Sequence, residues 1–88
     1  MKLKSRKSLE RSNAVKRDAL SGGCVDCGNT DIRVLEFDHV RGEKKFTIGR
    51  GSRPVPDLVS EIEKCDVVCA NCHRIRTVER MEQCWRTL

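Results

Sequence analysis

The spacing of apolar residues along the chain predicts a small set of helices and strands. Apolar positions recur at helical spacing in three segments: residues 8–20, 56–64 and 71–86. β-branched and apolar residues are concentrated in three segments that we expect to be extended: residues 32–40, 46–48 and 66–69. Ser21-Gly22-Gly23 interrupts the chain after the first helix. We therefore predict two parts, a basic N-terminal arm over 1–23 and a domain over 24–88.

The second and third helices carry the clearer signals. Pro56 suits the first turn of a helix, and Asp57 is favourable at its positive end. The apolar stripe of the last helix is expected to face the core and consists of Ile75, Val78, Met81 and Trp85. Phe37 and Phe46 also occupy expected core positions. Because the aromatic residues are assigned to the core, stacking on single-stranded bases is not expected.

Size and composition limit how far packing alone can stabilise this chain. It has 88 residues, of which 38% are hydrophobic and 3% aromatic. A domain of this size buries a modest fraction of its surface, so an additional cross-link is expected. No apolar run approaches membrane-spanning length, and no apolar stretch follows the basic N-terminus as in a secretory signal. We expect a cytoplasmic protein, inside a bacterial host cell if a phage encodes it.

The cysteines predict a metal site. Four of them form two Cys-x-x-Cys pairs: Cys24 with Cys27, and Cys69 with Cys72. Thiols stay reduced inside cells, and two such pairs are typical of a tetrahedral structural Zn²⁺ site. Disulfide bonding and c-type haem attachment are the alternatives, but the chain shows no export signal and haem leaves the first pair unexplained. Cys65 and Cys84 are expected to be small buried apolar residues.

The two histidines of the chain lie beside the elements that the cysteines are expected to join. His39 follows Asp38 at the end of a predicted strand, and His73 follows Cys72. A neutral imidazole can take a proton from water, and Asp38 is a hard oxygen ligand suited to Mg²⁺ or Mn²⁺. His73 can add a nitrogen ligand to the same ion. Because consecutive strand residues face opposite sides, Asp38 and His39 can share a site only where the strand ends or twists.

Three motifs together resemble the HNH endonuclease family in its zinc-stapled form, similar to small stand-alone HNH proteins of bacteriophages. They cover residues 24 to about 80 and are Cys24-x2-Cys27, Leu35-Glu36-Phe37-Asp38-His39-Val40 and Cys69-x2-Cys72-His73-Arg74. The resemblance implies an α+β fold of the ββα-metal (His-Me finger) type. It implies that His39 is the general base and that Asp38 and His73 bind a catalytic cation. That cation is Mg²⁺ or another divalent ion such as Mn²⁺ or Ni²⁺, and the four cysteines hold structural zinc.

One position departs from the family pattern. The family's asparagine, roughly nine residues before the final histidine, aligns with Lys64. That asparagine ties the loop to the fold and performs no chemistry. We therefore expect the zinc site and the helix over 56–64 to take over its bracing role, and a catalytically inactive relative stays open as an alternative.

The distribution of charge favours a polyanionic partner. The net charge is +5, with +5 in residues 1–23, −2 in 24–72 and +2 in 73–88. Basic ends around an acidic centre suit DNA held at its backbone while carboxylates gather cations. The residues expected to contact phosphates lie on the arm and on the last helix: Lys16, Arg17, Arg74, Arg76 and Arg80. Ordinary exposed helix-face charge is the alternative for each of them.

These features predict metal-dependent hydrolysis of DNA phosphodiester bonds, by nicking or by double-strand cleavage. A zinc-stabilised DNA-binding module without catalysis explains the cysteines and the charge, but it leaves Asp38, His39 and His73 unexplained. A protein-interaction adaptor is a third class, for which the basic arms give no particular support. The expected partner is DNA and not a membrane, while a homodimer and phage packaging proteins stay open.

Overall fold

A two-stranded antiparallel sheet joins distant parts of the chain. In the computed structural model, which describes residues 6–49, 51–81, 85 and 86, β1 (Leu35–His39) pairs with β2 (Cys65–Cys69). Leu35 lies opposite Cys69, and His39 lies opposite Cys65. This register brings the start of β1 beside the second cysteine pair and leaves His39 at the other end of the sheet.

Helices surround the sheet, so the chain is a small α+β protein. The described residues form three α-helices: α1 (Arg6–Leu20), α2 (Val55–Ile62) and α3 (Ala70–Glu79). The three predicted helices and the predicted strand over 66–69 are thus confirmed, with ends that shift by one or two residues. The last helix is the exception, because it ends at Glu79 instead of continuing to 86.

Two of the predicted extended segments are wrong in part or in whole. Ile32–Val34 forms a 3-10 turn and not the first part of β1. Asp31 explains the turn, since its carboxylate accepts hydrogen bonds from the Arg33 backbone at 3.0 Å and from the Arg33 guanidinium at 2.8 Å. Residues 46–48 are irregular and form no strand, although Ile48 is buried against Leu58.

Two small apolar clusters form the core, and Phe37 packs against both of them. The first consists of Leu20, Cys24, Leu35, Val68 and Cys69. The second consists of Ile48, Leu58 and Cys65, with Val15 and Ile62 among the residues packed on it. α1 therefore contributes to both clusters, through Leu20 and Val15, and packs against the part of the chain predicted as the 24–88 domain. Cys65 is buried as expected, whereas Cys84 lies outside the described residues.

The expected burial of the last apolar stripe is wrong. Ile75 is 54% exposed, Met81 47% and Trp85 77%. The reason is that α3 faces the sheet with polar residues instead, because His73 and Arg76 reach carboxylates on β1 and β2. Within the described ranges, no helix has the length and apolar character needed to cross a membrane.

Candidate functional site

The four cysteines of the two Cys-x-x-Cys pairs converge at one point. The Sγ atoms of Cys24, Cys27, Cys69 and Cys72 all lie within 4.8 Å of one another. The sulfurs of Cys27 and Cys69 are 3.6 Å apart. Four thiolates placed about 2.3 Å from a tetrahedral ion lie about 3.8 Å from each other, so this cluster has the dimensions of a metal site. The five described cysteines are free thiols.

Local hydrogen bonds shape both halves of this cluster. In the first half, Gly28 adopts φ +79°, and its N–H donates to the carbonyl of Cys24 at 2.8 Å. This left-handed conformation favours glycine and closes the loop around the first pair. The loop is fixed to β2 by a 2.9 Å hydrogen bond from the Val25 N–H to the Val67 carbonyl. In the second half, the Cys69 sulfur caps α3 by accepting from the Cys72 N–H.

The thiols are crowded in a way that a cation would relieve. Burial raises the pKa of the Cys24 thiol, but backbone N–H groups, first that of Cys69, outweigh it and lower this pKa to about 6. The neighbouring Cys69 thiol and burial raise the pKa of Cys72 far above its ordinary range. The surroundings therefore favour deprotonation of Cys24 and oppose deprotonation of Cys72. A bound divalent cation removes this opposition because metal coordination deprotonates thiols.

Asp38 and His73, two residues of the predicted catalytic site, lie side by side. β1 directs Glu36 and Asp38 towards α3, where the His73 ring lies between them. Nε2 of His73 is 3.5 Å from Oδ1 of Asp38, and Nδ1 is 2.6 Å from Oε1 of Glu36. Glu36 was not predicted as part of the site. The available signal was its position two residues before Asp38, which places both carboxylates on one face of a strand.

Arg76 on α3 and Arg80, the residue that directly follows this helix, hold the Asp38 carboxylate. Arg80 donates to both of its oxygens at 3.0 and 2.7 Å, and Arg76 donates to Oδ2 at 3.1 Å. Asp38 is 4% exposed, and its pKa falls to about 2 because these hydrogen bonds, first those from Arg80, outweigh burial. Arg76 also binds Asp26 and Asp66, which raises its own pKa. Both arginines are therefore engaged in orienting acidic groups.

His39, the predicted base, faces the opposite side of β1 from Asp38. Its Nε2 lies 2.9 Å from Oε2 of Glu61 on α2. Glu61 is 1% exposed, and no motif singled it out. Its signal in the sequence was its position three residues after Leu58, which places both side chains on the same face of the helix predicted over 56–64. Alternation along β1 thus gives Asp38 and His39 different partners.

A cleft nevertheless brings the two histidines together. It has a volume of about 510 Å³, and its walls include His39, His73 and the basic residues Lys16 and Lys44. Asp38 is not among the residues that line it and lies beneath the surface on the α3 side. The rest of the cleft lining is mostly apolar and includes Leu35, Phe37 and Ile48 together with the Glu36 carboxylate.

Lys64 joins the chain after β1 to α2. Its carbonyl accepts from the N–H groups of Val40 at 2.9 Å and Arg41 at 3.0 Å. Its ammonium group donates to the carbonyl of Glu43 at 2.8 Å and to Oε1 of Glu61 at 2.9 Å. Lys64 itself therefore braces the chain after β1, a role that we expected of the zinc site and of the helix over 56–64.

The residues predicted to contact phosphates differ in their exposure to solvent and in the hydrogen bonds that they already make. Arg74 and Arg17 are exposed, and Arg74 lies beside His73 in a shallow pocket. The Lys16 ammonium donates to the Gly51 carbonyl at 2.9 Å, and burial lowers its pKa. Arg76 is 19% exposed at its side chain and bound by three aspartates, whereas the Arg80 side chain is half exposed.

Comparison of the chain with protein-family models, with curated proteins and with solved structures finds no match.

Proposed function

We propose that this protein is a zinc-stapled, metal-dependent endonuclease of the HNH type that hydrolyses phosphodiester bonds in DNA. The observation that carries the proposal is the approach of His73 to Asp38, at 3.5 Å, beside the four-cysteine cluster. Two ligand atoms at this distance can bind the same cation, since each lies about 2.1 Å from a bound Mg²⁺. His39, next in sequence to Asp38, shares a cleft with His73.

The order of elements agrees with a ββα-metal fold. β1, β2 and α3 follow one another, with α2 inserted between the strands. Asp38 and His39 end β1, and His73 lies in the first turns of α3. Zinc is the ion that best suits the cysteine cluster, because four thiolates in a tetrahedron are typical of structural zinc. Zinc there would join the loop of the first cysteine pair to the end of β2 and to the start of α3, the helix that carries His73.

In the proposed reaction, His39 takes a proton from a water molecule. The water oxygen forms a bond to phosphorus while the bond from phosphorus to the 3′ oxygen breaks, and the cleaved strand leaves with a 5′ phosphate. Bound at Asp38 and His73, a divalent cation such as Mg²⁺, Mn²⁺ or Ni²⁺ would supply charge stabilisation at the phosphate. Lys16 and Lys44 line the cleft and favour an anion there.

Cleavage of supercoiled plasmid DNA by the zinc-loaded protein tests this function. We expect conversion to nicked or linear DNA in the presence of Mg²⁺, Mn²⁺ or Ni²⁺ and none with EDTA added after zinc loading. Product ends can then be examined for a 5′ phosphate. Binding of DNA without cleavage in any of the three metals would contradict the proposal.

A zinc-stabilised DNA-binding module without catalysis is the second candidate, and one observation favours it. Both oxygens of Asp38 accept hydrogen bonds from arginines, so its charge is already balanced by Arg76 and Arg80. A cation has to compete with these guanidinium groups. Isothermal titration of the zinc-loaded protein with Mn²⁺ separates the candidates: the nuclease gives a heat of binding that Asp38→Asn abolishes, whereas the binding module gives no heat that depends on Asp38.

Neutralising exposed charges on α1 should weaken DNA binding by an amount that depends on salt. Lys7, Arg11 and Arg17 are exposed there. In a triple glutamine variant, we expect the slope of log K against log salt to fall by about 0.9 for each lost phosphate contact. A gel-shift series measures this slope. The control is Arg33→Gln, because Arg33 is already paired with Asp31. Equal slopes for the triple variant and the wild type remove α1 from the DNA-binding surface.

A further inference from the structure

The His39 ring is held by a buried carboxylate whose role the proposed chemistry has not used. Glu61 is 1% exposed, and its Oε2 lies 2.9 Å from Nε2 of His39. The side chain of His39 itself is 16% exposed, and it is among the residues that line the cleft. A carboxylate buried in this way needs hydrogen-bond donors that compensate for its lost hydration.

Glu61 has those partners, and all of them are proton donors. The Lys64 ammonium group donates to Oε1 at 2.9 Å, and the Lys45 backbone N–H donates to Oε2 at 2.9 Å. Together with His39 they give the carboxylate three hydrogen bonds. The hydrogen bond from Lys64, against the opposing effect of burial, lowers the pKa of Glu61 to about 2. The carboxylate is therefore ionised at neutral pH and can only accept.

An acceptor at Nε2 fixes the position of the proton on His39. A neutral imidazole carries one proton, and an ionised carboxylate requires it to be on Nε2. The lone pair is then on Nδ1, which has no hydrogen-bond partner among the described residues. Nδ1 is consequently the nitrogen that can take a proton from water.

We infer that Glu61 is a positioning residue for the hydrolysis: it holds the His39 ring with Nε2 protonated and so keeps Nδ1 available to the attacking water. This inference rests on the proposed nuclease function and deepens it. Lys64 takes part indirectly, since it binds Glu61 on one side and the Glu43 carbonyl of the following loop on the other. Glu61, on the buried face of α2, thereby sets which nitrogen of His39 accepts the proton from water.

Glu61→Gln tests this role because it preserves the shape of the side chain and removes its charge. We expect kcat for plasmid cleavage to fall by about 10- to 100-fold, as for other residues that orient a reacting imidazole, with KM for DNA unchanged. Glu61→Asp retains the charge and should recover part of the loss. Equal kcat for Glu61→Gln and the wild type would overturn the inference.

Leu58→Ala is the matched control for loss of stability. Leu58 is fully buried on the same helix and belongs to the apolar cluster with Ile48 and Cys65. Its truncation should lower the free energy of unfolding by about 2–5 kcal/mol while kcat per folded molecule stays unchanged. A purely structural role of Glu61 predicts that the Glu61→Gln and Leu58→Ala proteins behave alike when compared at equal folded fraction, and that result would also overturn the inference.

The ¹⁵N chemical shifts of the His39 ring give a readout that needs no cleavage. At about pH 8.5, where an ordinary imidazole is neutral, the zinc-loaded protein should show a protonated Nε2 and an unprotonated Nδ1. The chain has two histidines, so the His39 signals are identified by their loss in His39→Ala. A protonated Nδ1 overturns the role of Glu61 alone. A wild type without nuclease activity overturns the function and that role together.

Discussion

Replacing Cys69 with serine should unfold most of the protein at 37 °C and abolish its binding of zinc. The free energy of binding zinc at a structural site, about 10–16 kcal/mol, is as large as the whole net stability of many domains, about 5–15 kcal/mol. Two small apolar clusters cannot compensate for its loss. Serine can still cap α3 as the Cys69 sulfur does, so the expected effect comes from the metal and not from the helix end.

Cys65→Ser is the matched control, since it makes the same chemical change at the other end of β2. Cys65 is buried but lies outside the four-cysteine cluster, and its thiol donates to the Glu61 carbonyl, which a hydroxyl can also do. We expect this variant to retain one zinc per chain and a cooperative thermal transition. Zinc content by mass spectrometry and melting by far-ultraviolet circular dichroism measure both proteins. A Cys69→Ser protein that melts like Cys65→Ser would remove the metal site from the account of folding.

His39→Ala should reduce the rate of DNA cleavage by about 10²- to 10⁴-fold, the range expected for loss of a general base. The affinity for DNA should stay within a few-fold of the wild type, because the basic residues of α1 and α3 are unaffected. Single-turnover cleavage of a labelled duplex measures the rate, and a gel shift measures the affinity. Undiminished cleavage would exclude His39 as the base.

His39→Gln separates the chemistry of the imidazole from its packing. Alanine leaves the buried Glu61 carboxylate with one donor fewer, which costs stability in addition to activity. Glutamine can offer an N–H to Glu61, but it has no basic nitrogen. We therefore expect the glutamine protein to melt closer to the wild type than the alanine protein while it is equally inactive. Recovery of cleavage in the glutamine variant would mean that His39 acts by shape alone.

The cysteine pairs and the helices were accessible from the sequence because each depends on residues close together in the chain. Cys-x-x-Cys with Gly28 encodes its own loop, and Pro56 with Asp57 marks the start of α2 within one turn. Convergence of the two pairs was also predictable, since few arrangements other than a shared ion satisfy four such thiols. The exposed Trp85 shows the limit of this reasoning. Apolar residues at helical spacing predict that they share one face of a helix, but they do not predict which part of the protein packs against that face.

The sequence by itself determined the α+β class of the fold, the four thiols that converge, and the positions of His39 directly after Asp38 and of His73 directly after Cys72. Only the tertiary structure decided which partners those residues have. Strand alternation and the register of β1 on β2 send Asp38 to arginines in and directly after α3 and His39 to Glu61 of α2. Such pairings join residues that are distant in the chain, and they are selected by burial, which forces each carboxylate to find a donor. No pattern of neighbouring residues in the sequence predicts which donor each carboxylate binds.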